Sequence, residues 1–242
     1  MEPKFDLDKI RYSVDQGTYE RAIELYQNQK VVNFVVRYGN FEAIVLGSHE
    51  YHIVISADDF AVGQCDCYLG QHETLCKHIV AVAIFAILKG GKFPDEYAKP
   101  IGPAVCSGKI GVLSLQQLSN LKQEIRTASR YIKSYNGPSK IWFQYQDSLT
   151  EGCRRLSEIV SRQPVSLAMA KIIVDLAIRL DKKLMVGGVD DSDGTVGEFI
   201  ENLMLVLKNF EKIDPKCRKA FSKLEGIETG FGWEEILFKN AK

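Results

Sequence analysis

Histidine is scarce in this chain, with four in 242 residues, so few side chains could exchange protons near neutral pH. No phosphate-binding loop is present: Gly90-Gly91-Lys92 lacks both the upstream glycine and the hydroxyl residue that would come after the lysine. No nucleophile elbow and no Ser/His/Asp pattern occurs either. A motor driven by its own P-loop is thereby excluded, and a hydrolase has little to work with. Long hydrophobic runs are missing as well. The longest, Ile79 to Leu88, is half of the roughly 20 residues a membrane-spanning helix needs. The opening residues, Met1-Glu2-Pro3-Lys4-Phe5-Asp6, are polar and suggest no leader peptide. No membrane association is expected, and the expected location is cytoplasmic. There is no net charge, since 31 Lys+Arg balance 31 Asp+Glu.

The balance conceals an asymmetry. Through Leu88 there are 7 basic and 12 acidic residues, and in the remainder 24 and 19. Affinity for nucleic acid comes largely from cations that neutralise phosphates, which an acidic first portion supplies poorly. Hydrophobic residues at 45% and charged residues at 26% are ordinary for a globular protein, and the length suits one large domain or two smaller ones.

What is present is concentrated between residues 65 and 78. Cys65 and Cys67 stand two apart, a polar Gly-containing spacer comes next, and Cys76 and His78 again stand two apart. Three thiolates and one imidazole complete a tetrahedral shell for a single structural Zn2+, leaving no coordination position for water or substrate. Cys65 and Cys67 are expected on an extended chain with both sulfurs on one face. Cys76 is expected at a helix N-cap and His78 in the first turn, where the helix dipole favours the Cys76 thiolate. His72 and Glu73 are expected on a solvated loop tip, and His49 and His52 on the sheet rather than on the metal. The cysteines read as ligands and not as a disulfide framework, consistent with a reducing compartment.

The pattern Cys-x-Cys…Cys-x-His, continued to Ala81, resembles the SWIM zinc finger. The preceding Gly47-Ser48-His49-Glu50-Tyr51 matches that family's Gly-Ser-x-x-Tyr element, and the resemblance spans about residues 10–90. It implies that Cys65, Cys67, Cys76 and His78 are the zinc ligands. It also implies a protein- or DNA-interaction module, since such modules accompany helicase-like remodelling ATPases, Mutator-type transposases and partners of recombinase paralogues.

The reading along the chain is of an α+β protein. A small antiparallel β-sheet plus helix forms a zinc-finger domain (1–90), packed on an all-α domain (113–242) beyond a linker (91–112). Val31–Tyr38, Phe41–Leu46 and Tyr51–Ile55 are expected strands, with the first turn at Gly39-Asn40 and a short fourth strand leading to Cys65. Ile79–Leu88 is apolar on every side, so a helix there needs cover beyond the sheet, which the second half is expected to give. Glycine and proline through residues 90–108 discourage regular structure, and Cys106 is expected to be structural.

From Ser114, a capping-box residue, the pattern is helical. Ser139 is expected to cap a second helix with Trp142, Tyr145, Leu149, Leu156 and Ile159 on its core face, and a third is expected over 166–185. Asp190-Asp191-Ser192-Asp193-Gly194 has half of a calcium loop but lacks its terminal glutamate, and reads as a turn before a Thr195–Glu198 capping box. A fourth helix is expected after it, and Asp214-Pro215 opens a fifth. The aromatic tail around Trp233 is either a packed segment or a docking peptide.

Together these features point to an interaction module or adaptor, not an enzyme. It would serve a DNA-processing machine through contacts with a helicase-like or recombinase-type ATPase. The alternative is direct nucleic-acid binding through Arg154, Arg155, Lys182, Lys183, Lys216, Arg218, Lys219 and Lys223. A third reading, metal-assisted hydrolysis at the zinc or at Asp190–Asp193, is opposed by the closed ligand set.

Overall fold

The computed structural model describes residues 1–99, 101–138 and 142–238. Ser139, expected to cap a helix, and Pro100 lie outside them. The chain is an α+β protein with two compact units, Met1–Pro100 and Ile101–Lys242.

The first unit opens with two helices where one was expected, α1 (Leu7–Ser13) and α2 (Gln16–Gln27). Each is started by an aspartate whose carboxylate accepts an otherwise orphaned amide: Asp6 from Lys9 N at 2.7 Å and Asp15 from Thr18 N at 2.9 Å. A four-stranded antiparallel meander comes next: β1 (Val31–Arg37), β2 (Asn40–Leu46), β3 (Glu50–Ser56) and β4 (Gln64–Cys65). Tyr38 and Gly39 both have positive φ and form the two-residue turn, so Asn40 is already paired with Arg37. The turn therefore lies one residue earlier than expected. Phe41, Ala43 and Val45 of β2 alternate inward beside Ile53 and Ile55 of β3, giving the sheet one apolar face.

Beyond a single helical turn, α3 (Tyr68–Gln71), the chain enters α4 (Lys77–Leu88), which lies against that face. The β-branched run of α4 has strand propensity, but a Cys76 cap and burial on all sides favour the helix. Cover on its far side comes from α2 and α1 of the same unit. Ala81, Ala83 and Ala86 are buried on α4, and small side chains of this kind permit close approach of the packed elements. This cover is hard to read from the sequence because α2 mixes polar and apolar residues too evenly to advertise a core face.

In the second unit, residues 101–113 run without regular structure apart from one parallel bridge, Ile110 to Val165. They are tied down by Val105 N to Ser161 Oγ at 3.0 Å and Ser107 Oγ to the Gln163 carbonyl at 2.7 Å. The helices are α5 (Leu115–Ala128), α6 (Trp142–Ser161), α7 (Leu167–Met185) and α8 (Thr195–Ile213). The Ser114/Gln117 capping box forms as expected. Tyr145, Leu149, Leu156 and Ile159 enter the core, joined by the inward faces of α7 and α8. Pro215–Lys223 is a 3-10 segment rather than a fifth α-helix, and a short α9 (Glu235–Phe238) closes the described chain.

The tail is packed at Trp233 and Leu237, while Phe231 and Phe238 are exposed. Trp233 is buried, and its indole N–H donates to Asp181 Oδ1 at 2.9 Å, where Gly230 N also donates at 3.0 Å. Asp181→Ala should therefore release the tail and destabilise this unit by about 2–4 kcal/mol, because it strands a buried indole N–H as well as losing two charge-assisted bonds. Urea unfolding monitored by tryptophan emission checks this; a midpoint equal to wild type would refute the pinning role.

Candidate metal centre

The ligand atoms come from three pieces of backbone. Cys65 ends β4, Cys67 is the N-cap of α3, and Cys76 is the N-cap of α4 with His78 in its first turn. The expected extended geometry stops at Cys65. From there the chain folds into a knuckle, in which Cys67 N approaches Cys65 Sγ at 3.5 Å and Gly70 N approaches Cys67 Sγ at 3.4 Å. Amides aimed at sulfur favour the thiolate, just as capping oxygens satisfy helix N-termini.

The four ligand atoms lie within 4.8 Å of one another, and all four residues are buried. His78 presents Nδ1, at 3.7 Å from Cys65 Sγ and 3.9 Å from Cys76 Sγ. A tetrahedral zinc with bonds of about 2.3 Å to sulfur and 2.0–2.1 Å to nitrogen sets sulfur–nitrogen edges near ~3.6 Å. The cluster thus fits one zinc ion with little rearrangement. Cys65 and Cys76 behave as a pair. Cys76 is pushed down, first by the hydrogen bond from Cys65 and against the effect of burial, with His78 and the Ile79 amide assisting. Cys65 is pushed up, first by that same bond and then by burial. Metal binding requires both sulfurs as thiolates and would displace the proton that this pair shares.

Residues outside the ligand set hold this arrangement, and the spacing of donor residues along the chain assigns them no role. The Tyr51 ring stacks on the His78 imidazole at 4.1 Å between centroids and 19° between planes. Its hydroxyl pairs with Ser48 Oγ at 2.8 Å. A Cβ on Gly47 would meet the Tyr51 ring at 2.9 Å. Gly47, Ser48 and Tyr51 thus act together as a brace that fixes the plane of the ligating imidazole. Asp66 ties the knuckle to β3 by accepting His52 N at 3.1 Å with each carboxylate oxygen. The Gly-Ser-x-x-Tyr spacing was visible in the sequence; what it braces was not.

Tyr51→Leu should weaken zinc retention by about tenfold, as loss of an outer-shell support typically does, while Tyr51→Phe keeps the stack and most of the affinity. Competition with a chromophoric chelator measures this. Equal zinc retention in wild type and Tyr51→Leu would rule out the brace.

His49, His52, His72 and Glu73 are exposed and outside the cluster. Of the cations considered for phosphate contact, Arg155 pairs with the buried Glu151 at 2.8 Å and lies over the Tyr131 ring. Lys183 donates to the carbonyls of Ser129 and Ile132 at the end of α5, and burial lowers its pKa. Arg218 pairs with Glu211 at 2.6 Å and Lys223 with Asp175 at 2.7 Å. Arg154 lies on α6; Lys182, Lys216 and Lys219 are exposed, the first on α7 and the others on the 3-10 segment.

The acidic stretch is a capping device. Asp191 accepts Val196 N at 2.8 Å and Gly197 N at 2.9 Å, Asp193 accepts Thr195 N at 3.1 Å, and Asp190 accepts the Trp142 indole at 2.9 Å. The N-cap of α8 is Gly194, so the expected Thr195–Glu198 box does not form. Only glycine accepts that left-handed position cheaply, and the upstream aspartates supply the acceptors in its place.

A family model for the SWIM zinc finger matches residues 51–87, the segment from Tyr51 to the last turn of α4. This zinc finger is a binding module rather than a catalytic domain. No curated protein and no solved structure matches the chain. Among the described residues no helix is long and apolar enough to cross a membrane.

Proposed function

We propose that the chain is a zinc-stabilised adaptor that serves a DNA-processing machine by binding a protein partner, of the helicase-like or recombinase-type ATPase class. One observation carries the reading: the donor atoms of Cys65, Cys67, Cys76 and His78 lie within 4.8 Å of one another, a set that would fill all four positions of a tetrahedral ion, which suits a structural zinc and not a catalytic one. The partner class rests on the resemblance of residues 51–87 to SWIM zinc fingers, and on the lack of any P-loop in this chain. In this reading 1–90 is the zinc-finger domain, 91–112 a linker and 113–242 a helical domain, and the thiolates of the site call for a reducing, cytoplasmic setting. Contact through protein is favoured over direct nucleic-acid binding because Arg155, Lys183, Arg218 and Lys223 are already committed within the second unit.

Affinity capture from native lysate, with and without nuclease, tests this. A specific ATPase retained after nuclease is the expected result. Capture that is lost entirely with nuclease would sink the adaptor reading. Nucleic acid would then be the bridge, and charge reversal at Lys216, Arg218 and Lys219 should abolish it.

A further inference from the structure

In the second unit α5 packs chiefly on α6, while α7 packs chiefly on α8 and the 3-10 segment. Between α5 and α7 the surface opens into a slot of about 370 Å³. Its floor is apolar, made by Ile125, Ile172 and the half-buried Ile178, and its rim carries Lys122, Arg126 and Arg179. Lys122 and Arg126 are one turn apart on α5, so both stand over the same stretch of floor. Among the described residues neither has a carboxylate partner, and the Arg179 Nε bonds only the Asp175 backbone carbonyl. The single acid at the rim, Asp175, is already neutralised by Lys223 at 2.7 Å. Three uncompensated cations therefore surround an isoleucine floor.

We infer that this slot docks an acidic amphipathic peptide of a partner protein, with apolar side chains on the isoleucines and flanking carboxylates on Lys122, Arg126 and Arg179. Each half of the feature asks for one half of that ligand. The rim selects negative charge and speeds encounter, while the floor rewards an apolar anchor that a bare phosphate backbone cannot offer. The floor also has no aromatic ring on which a base could stack, which disfavours single-stranded nucleic acid. The inference deepens the adaptor reading by specifying the chemistry of the partner segment.

The test uses the full zinc-loaded chain and a fluorescent peptide of about 14 residues, with leucines on one helical face and glutamates elsewhere. A second peptide carries serine for leucine, and an oligothymidylate serves as the competing polyanion. Saturable binding to the leucine peptide is expected, weakened about tenfold or more by Lys122→Glu/Arg126→Glu. These positions are exposed, so the variant should fold, and an unchanged melting curve verifies it. A comparable loss is expected for the serine peptide, with no displacement by the oligonucleotide. The inference is overturned by no saturable binding, by an unaffected double variant, by equal binding of the serine peptide, or by displacement with the oligonucleotide. The adaptor reading fails separately: wild-type protein that captures no nuclease-resistant partner refutes it even if the peptide binds, and an adaptor whose capture survives Lys122→Glu/Arg126→Glu stands even if the slot does not.

Discussion

Stripping zinc from the intact chain, or replacing Cys76 by serine, should unfold the first unit and leave the second folded. Cys76 is the N-cap of α4, His78 sits in its first turn, and α4 is the element on which α1, α2 and the sheet all pack. Without the ion, three buried thiols and an imidazole remain gathered with no central charge, and the knuckle between β4 and α4 loses the atom that closes it. Structural zinc contributes roughly 10–16 kcal/mol of apparent binding free energy in small domains, as much as or more than the roughly 5–15 kcal/mol by which a whole domain is usually stable. The readout separates the units, because both tryptophans, Trp142 and Trp233, belong to the second. Chelation should abolish amide-exchange protection across residues 31–88 while tryptophan emission stays native. If those amides remain protected after verified metal loss, the apolar core alone holds the unit, and zinc only orders the knuckle.

Gly70→Ala should be nearly as damaging, although glycine is not a ligand. A Cβ there would lie 2.2 Å from the Cys65 carbonyl oxygen and 2.7 Å from Cys65 Cβ. The carbonyl is backbone that cannot rotate away, and Cys65 is paired in β4 with Ile53, so relief would have to come from moving α3. Moving α3 withdraws Gly70 N from Cys67 Sγ and displaces a ligand. A loss of about 3 kcal/mol or more is expected, at the upper end of overpacking costs, together with a large fall in zinc affinity. Chelator competition and thermal melts on Gly70→Ala measure both. Wild-type affinity with a wild-type melt would show that the knuckle tolerates a methyl group and that the close approach is not required.

The ligands themselves were legible because metal chemistry is local: four donor residues within fourteen positions announce a site wherever the chain goes. Helix starts were legible for the same reason where the cap and the residue it serves are neighbours, as at Ser114. At Thr195 that locality misled, since the acceptors lie upstream at Asp191 and Asp193 and the cap itself is Gly194. Three arrangements depended on contacts far apart in sequence: the ring of Tyr51 on His78, Trp233 on Asp181, and α1 and α2 over α4.

The sequence by itself determined the four donor residues that could hold zinc, the strand-rich segment before them and the helical character of the chain from Ser114 onward. Donor chemistry, alternation and helical period are properties of neighbouring residues. Only the tertiary structure decided what braces the imidazole, what covers α4, and which cations are free to meet a partner. Those depend on which distant side chain is close enough to share a proton, a ring face or a charge, and proximity in space is set by packing rather than by order along the chain.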